Sequence, residues 1–320
     1  MIPPMRTPTI ALGAFLALGI STLACGGSQK PEPEKPTVEI VPSLCTYATR
    51  AAGSSSDSRD LATVTWFAFL LPGYKMSTNE VTRPVTNCAG QPVRWAYVGP
   101  ECPALEADLA YLPPPPNLSP QDLIIARASQ YTRLIWAITD RLSDGQAEGP
   151  VALAEFRTNS VEIRALGTLR ALPDRARLRL VTLQGHTLLV AEGERCDSSD
   201  SAHCYRGTRL MVMDGNRFQQ QPLRKEDGQC QEAAFFPTEH TQLITGKDGV
   251  KRAMTASGRL DFAPDGIFIH EEVAVRTTDG GAKTPGKLLR EARSDRRLRV
   301  RAGRLFASDG SLWTRMIEEW

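Results

Sequence analysis

The chain has 320 residues, with 38 lysines and arginines against 36 aspartates and glutamates, a net charge of +2 and a pI near 8.2. A balance this close to zero excludes the one-signed field of a dedicated nucleic-acid binder, and the 7% of aromatic residues are not interleaved with the arginines. The excess of 30 arginines over 8 lysines is what a GC-rich coding bias produces and is not by itself a sign of function.

Arg6 is the only charged side chain before Lys30, and Ile10–Ile20 is an apolar run. A basic start, a short apolar stretch and small residues before a cut make an export signal. A membrane span needs roughly 20 apolar residues, which neither this run nor any later segment supplies. The run ends in Ser21-Thr22-Leu23-Ala24-Cys25-Gly26-Gly27. This stretch resembles the lipobox of bacterial lipoproteins. Ala24 is the small residue before Cys25; Thr22 stands where the family carries leucine, and Leu23 follows one residue late. The resemblance implies removal of 1–24 as a signal peptide and lipidation of Cys25. With Gly26 rather than aspartate next, it also implies outer-membrane placement through a lipid anchor. Residues 25–37 then form the anchored cysteine and a flexible linker. The linker "GGSQKPEPEKPT" has three prolines, two glycines and no large apolar side chain, so it cannot bury a core. Residues 38–320 make a β-rich, disulfide-containing domain.

Within that domain, "TVTWFAFLLPGY" reads as a buried strand ending at the Pro72-Gly73 turn. Pro113–Pro116 reads as a stiff surface loop and a candidate lobe boundary at 113–120. Ile124, Ala128, Tyr131, Ile135, Ile138 and Leu142 recur at helical spacing, and Ser119-Pro120-Gln121-Asp122 resembles a helix start. The competing reading splits the segment into the strands "LIIARA" and "RLIWAIT", the second pairing across Asp144-Gly145 with "GPVALAEF". It is preferred for its β-branched content and Asp-Gly spacing. Asp-Gly, which suits tight hairpin turns, occurs seven times, starting at Asp144, Asp214, Asp227, Asp248, Asp265, Asp279 and Asp309. Alternating runs lie between these turns. "ARLRLVTL" sets Leu178 and Leu180 against Arg177 and Arg179, and "RLRVRAG" sets Leu298 and Val300 against Arg297, Arg299 and Arg301. The fold expected is mainly β with few helices: antiparallel sheets forming a sandwich, a barrel or an incomplete propeller. "RLIWAITDRLSDGQAEGPVALAEF", "VEIRALGTLRALP", "LLVAEGERC" and "LFASDGSLW" resemble segments of a group of exported lipoproteins of GC-rich Gram-negative bacteria. That likeness implies a β-rich envelope domain and carries no activity with it.

There are seven cysteines. With Cys25 given to the lipid, Cys45, Cys88, Cys102, Cys196, Cys204 and Cys230 remain for three disulfides, which export favours. Cys196 and Cys204 flank a polar loop between strand-like runs, so a hairpin neck joins them. Cys88 with Cys102 is the next expected pair, and Cys45 with Cys230 follows by elimination. No C-x-x-C pair suggests zinc.

Signals for chemistry are sparse. His186, His203, His240 and His270 show no metal-ligand spacing. His270-Glu271-Glu272 resembles the start of a zinc-protease helix but lacks the second histidine. His203 beside Cys204 activates no thiol if Cys204 is bonded. "CDSSDSAHC" offers Asp197 and Asp200 but not the other features of a calcium loop. Nucleophile-elbow, phosphate-loop and dinucleotide motifs are missing, so neither catalytic residue, metal nor cofactor is assigned. The remaining candidates for binding an anion are Arg175, Arg177 and Arg179 on one strand and Arg297, Arg299 and Arg301 on another. Lys287, Arg290, Arg293 and Arg304 lie nearby, diluted by Glu291 and Asp295. The expected role is that of a structural or interaction subunit with an envelope protein partner. An anionic glycolipid or glycan is the alternative ligand, and a hydrolase of unrecognised site a further one.

Overall fold

The computed structural model describes residues 43–49, 61–94, 110–196, 204–279 and 286–319. β1 (Cys45–Ala48) is followed by α1 (Thr63–Leu70) and the short pair β2 (Tyr74–Lys75) and β3 (Glu80–Val81). A 3-10 turn at Pro120–Asp122 leads into β4 (Leu123–Arg127), β5 (Thr132–Ala137), β6 (Asp140–Arg141), β7 (Ala147–Phe156) and β8 (Ser160–Ala171). Then come β9 (Asp174–Leu183), β10 (His186–Cys196), β11 (Cys204–Asp214), β12 (Arg217–Gln219), β13 (Leu223–Arg224) and β14 (Cys230–Glu232). The last group is β15 (Phe235–Thr245), β16 (Lys251–Ala263), β17 (Gly266–Thr277), β18 (Leu288–Arg301), β19 (Arg304–Ala307) and α2 (Leu312–Glu319). The fold is therefore mainly β with few helices. No helix of the described residues is long and apolar enough to cross a membrane.

Strand reading of 123–142 is correct: β4 and β5 form a hairpin, and β5 continues onto β7. Strand reading of "TVTWFAFL" is wrong. The segment is α1, which buries Trp66, Phe67, Phe69 and Leu70 against β1, β7 and β8. A short, uniformly apolar run carries no period, and only the packing partner decides its form. Trp66 meets Phe156 edge-on at 6.0 Å, which a helical turn allows and Pro72 then terminates.

Two ladders account for most pairings. β4–β5–β7–β8–β1 is antiparallel, with β6 also on β7. β9–β10–β11–β15–β16–β17–β18–β19 is antiparallel too. The expectation of purely antiparallel sheets needs correction, because β12 lies parallel to β8 and β13 parallel to β19. Alternation within a strand does not encode such non-local neighbours. Among the described residues the ladders branch without returning on themselves, so no barrel closes. Asp-Gly turns fulfil their expected role at Gly145, Gly215, Gly228 and Gly249, where φ is +86°, +56°, +86° and +76°.

Several strands are buried on both faces. Leu134 and Trp136 of β5 enter one core with Leu189 and Met211, while Ile135 and Ala137 face α1 in another. Leu188 and Val190 of β10 join Leu210, Ile267, Leu298 and Leu305 in a third. α2 covers the far end of the β16–β18 sheet through Leu312 and Met316 against Met254, Val273 and Val275.

Cys196 and Cys204 face each other across the β10–β11 hairpin and are bonded, as expected. The other two pairings are corrected. Cys45 bonds Cys88, which excludes both Cys88–Cys102 and Cys45–Cys230. Cys230 is itself disulfide-bonded. Sequence spacing misled here because β1 is carried to the far edge of β8, beside the segment that holds Cys88. Cys102 and Cys25 lie outside the described residues.

The Cys45–Cys88 bond spans 43 residues and Cys196–Cys204 spans 8. Chain entropy assigns them about 4 and about 2.5 kcal/mol of stabilisation. Replacing Cys45 and Cys88 by serine is therefore expected to lower the urea midpoint more than replacing Cys196 and Cys204. Paired equilibrium melts check this order.

Candidate functional site

The site begins with register. Three consecutive residues on each of β16, β17 and β18 stand side by side: Arg259–His270–Asp295, Gly258–Glu271–Ser294 and Ser257–Glu272–Arg293. Together they line an open depression of about 510 Å³. Period-two alternation puts Ser257, Arg259, His270, Glu272, Arg293 and Asp295 on the solvent face. Glu271 falls on the opposite face with Arg296.

The solvent face is a lattice of opposite charges. His270 places Nδ1 2.7 Å from Asp295 and Nε2 3.2 Å from Asp261, which Arg259 contacts at 2.7 Å. Arg293 reaches Glu272 at 3.1 Å and Glu291 at 2.9 Å. An imidazolium donates to both flanking carboxylates, whereas a neutral ring donates to one. Neither ring nitrogen meets Ser257 or Ser294, and Ser294 accepts from Arg315 at 3.3 Å. The relay of nucleophile, histidine and acid is not formed. The incomplete likeness to a zinc-protease helix does not describe this histidine, which lies on a strand; its two acidic neighbours come from other strands and leave no local motif.

Beneath the depression, Arg296 is almost wholly buried and joins two carboxylates. Its guanidinium donates to Glu232 and, at 2.9 Å, to Glu271. The same carboxylates accept from the backbone at the start of α2: Ser311 N–H to Glu232 at 3.2 Å and Leu312 N–H to Glu271 at 3.1 Å. Burial pushes the Glu232 carboxyl above its ordinary range, and Glu271 adds to the rise. Arg296 and the Ser311 N–H oppose it. Two acids and one base thus pin α2 to the sheet. Sequence reasoning missed this cluster because Glu232, Glu271 and Arg296 belong to three separate strands. The one local hint is Arg296 on the core-facing parity of Leu298 and Val300.

The arginines singled out from sequence are mostly engaged. Arg175 pairs with Glu194 at 3.0 Å, and Arg179 pairs with Glu192 at 3.0 Å and lies over the Phe262 ring. Arg297 pairs with Asp265 and lies over Phe268. Arg299 and Arg301 share Glu226, at 3.8 and 2.6 Å. Arg177 stands opposite Glu192 in the ladder and is exposed. The two sets meet at one corner: Gln184, in the β9–β10 turn, donates to the Asp265 carbonyl at 3.0 Å and accepts from Val300 N–H at 3.0 Å. Exposed pairs of this kind are worth about 0–1 kcal/mol and exchange readily for other partners.

Two further groupings lie elsewhere among the described residues. Glu194, Cys196 and Cys204 bring ligand atoms within 4.8 Å of one another. The disulfide keeps the sulfurs from being thiolates, and Arg175 and Arg206 engage Glu194. His240 lies between Tyr205 and Trp313, at ring distances of 4.2 and 5.0 Å, and burial pushes its pKa down. Asp197, Asp200 and His203 fall outside the described residues. Comparison with protein-family models, with curated proteins and with solved structures gives no match.

The raised Glu232 pKa means that the folded state holds this proton more tightly than the unfolded chain. Its contribution is greatest below the ordinary carboxylate range and is lost as pH rises through the raised value. Glu232→Gln imitates the protonated form, so its stability relative to wild type is expected to improve between pH 4 and pH 8. Arg296→Leu leaves two half-buried carboxylates without their cation and is expected to cost about 3 kcal/mol near neutrality, at the low end for a broken buried pair, and less in acid. Thermal melts across that pH range check both signs.

Proposed function

We propose that this chain is a lipid-anchored protein of the bacterial outer envelope whose β domain serves as an interaction subunit. The observation that carries the interaction role is the mutual neutralisation of charge on the β16–β18 face. Arg259, Arg293, Asp261, Glu272 and Asp295 form a mosaic of both signs around His270. A mosaic suits a partner with its own mixed pattern of charges and gives specificity of register. A uniform polyanion would meet as much repulsion as attraction. Support for export comes from the lipobox-like Ala24-Cys25-Gly26 and from disulfides, which persist outside the reducing cytosol. Of the architectures expected from sequence, the stacked cores fit a sandwich-like scaffold best.

A second reading, binding of an anionic glycolipid, rests on Arg177. It is exposed, with no ion pair among the described residues, and sits beside Arg175 and Arg179, whose pairs are exchangeable.

Cys25→Ser is expected to move the protein from the membrane to the soluble fraction; a serine variant that still floats with membranes overturns the anchor. In-cell photo-crosslinking from positions 257 and 299, with 177 as the third, separates the ligand classes. A discrete protein adduct from 257 or 299 is the expected result. A ladder of glycolipid masses from 177 alone transfers the role to the second reading.

A further inference from the structure

β15 is paired on one side along its first half and on the other along its second, with both partners at Glu239. Phe235, Phe236, Pro237 and Glu239 pair with β11, and Glu239–Thr245 pair with β16 on the other side. From His240 onward the side that faced β11 has no ladder partner among the described residues. His240 packs between Tyr205 and Trp313, so the open stretch is Thr241-Gln242-Leu243-Ile244-Thr245.

Its composition is unusual for an open edge. Natural edges are blunted by charge, proline, bulges or brevity. β9, an edge strand, carries Arg175, Arg177 and Arg179 and lies opposite an irregularity between Glu192 and Glu194. β1 has four residues, and β4 has five and ends in Arg127. The free part of β15 has neither lysine, arginine, acid nor proline. Its register with β16 runs unbroken from Glu239↔Ser257 to Thr245↔Lys251. At its centre stands Leu243, 64% exposed, the most exposed large apolar side chain among the described residues. The segment is kept extended by its pairing with β16, and Thr241 is tied to Thr255 at 3.1 Å.

We propose that this edge pairs with the same edge of a second copy of the chain, antiparallel, about a two-fold axis at Leu243. The sequence is self-complementary in that register. Leu243 meets Leu243 of the second copy, Thr241 meets Thr245, and Gln242 meets Ile244. Directly opposite residues share a face, so the two most exposed leucines cover each other on the solvent side. No like charges stand opposite one another, and the four-stranded arms β15–β18 of both copies become one continuous sheet. The symmetric arrangement needs one surface patch only, as a two-fold interface does. A ladder this short binds weakly in dilute solution; confinement of the copies to one surface raises their effective concentration. The pairing leaves the β16–β18 depression open to other partners, and it does not rest on the nature of those partners.

The test uses the full chain in cells, co-expressed as two differently tagged copies, with a photo-crosslinking residue at position 243. The expected result is an adduct carrying both tags. Thr241→Lys with Thr245→Lys places like charges opposite each other twice and is expected to lower the adduct on the order of tenfold. Thr241→Lys with Thr245→Glu places opposite charges there and is expected to restore it. Both positions are exposed, so circular dichroism of the variants is expected to match wild type. The proposal is overturned by an adduct that never carries both tags, by one that joins only a different protein, or by a two-tag adduct that is indifferent to the charge swap.

Discussion

Leu188, Leu189, Val190 and Ala191 point alternately into two different cores, and the rest of the architecture follows from that constraint. A strand that is apolar on both faces cannot lie at a surface. β10 and β11 therefore need a layer on each side. The β5–β7–β8 sheet supplies one, through Trp136, Val151 and Leu169, and β17–β19 supply the other, through Ile269, Leu298 and Leu305. β5 repeats the demand one layer further out, where Ile135 and Ala137 require α1. Within the sheet, where β5 gives way to β6 along β7, a Cβ on Gly149 would stand 1.8 Å from the Ala137 carbonyl oxygen. Glycine there is a condition of neighbouring strands approaching closely at an irregularity, not of a turn.

Charge is handled differently inside and outside. On the surface, arginines are matched by acids on neighbouring strands, which gives solubility and pattern but little stability. Inside, Arg170 with Glu148 at 2.8 Å is closed to water, Arg296 with the half-buried Glu232 and Glu271 is largely so, and both groupings are costly to leave half-made. Those buried pairs fix which surfaces dock. Besides Arg296, Glu232 and Glu271 accept from the backbone at the start of α2, and Tyr111 seals the Arg170–Glu148 pair, its hydroxyl donating to Glu148 at 3.0 Å. The depression with His270 is positioned by the first of these clusters, because Glu271 and Ser294 belong both to its lining and to the strands that Arg296 holds.

Local features were legible in the sequence and non-local ones were not. Asp144-Gly145 and Asp248-Gly249 announce hairpins because a turn is decided by the residues within it. Leu298 and Val300 against Arg297, Arg299 and Arg301 announce a two-faced strand for the same reason. The Cys196–Cys204 bond follows from one hairpin. By contrast, Cys45–Cys88 depends on β1 crossing to β8, and the parallel β12–β8 and β13–β19 contacts depend on where distant strands finish. α1 was misread because Trp66-Phe67-Ala68-Phe69-Leu70 is apolar in any periodicity, and its helical form is settled by Phe156 and Tyr74 packing on it. His270 offered no motif, since Asp261 and Asp295 reach it from strands on either side.

The position of Cys45 has a mechanical consequence. It is the first residue of β1, and β1 lies antiparallel on β8 over only four pairs. Tension entering along the preceding segment would unzip so short a strand one residue at a time, at low force. The bond to Cys88 diverts that load before β1 is reached, into the segment beside α1 and the core around Trp66. A domain held by its leading end can thus be tugged without fraying from that end.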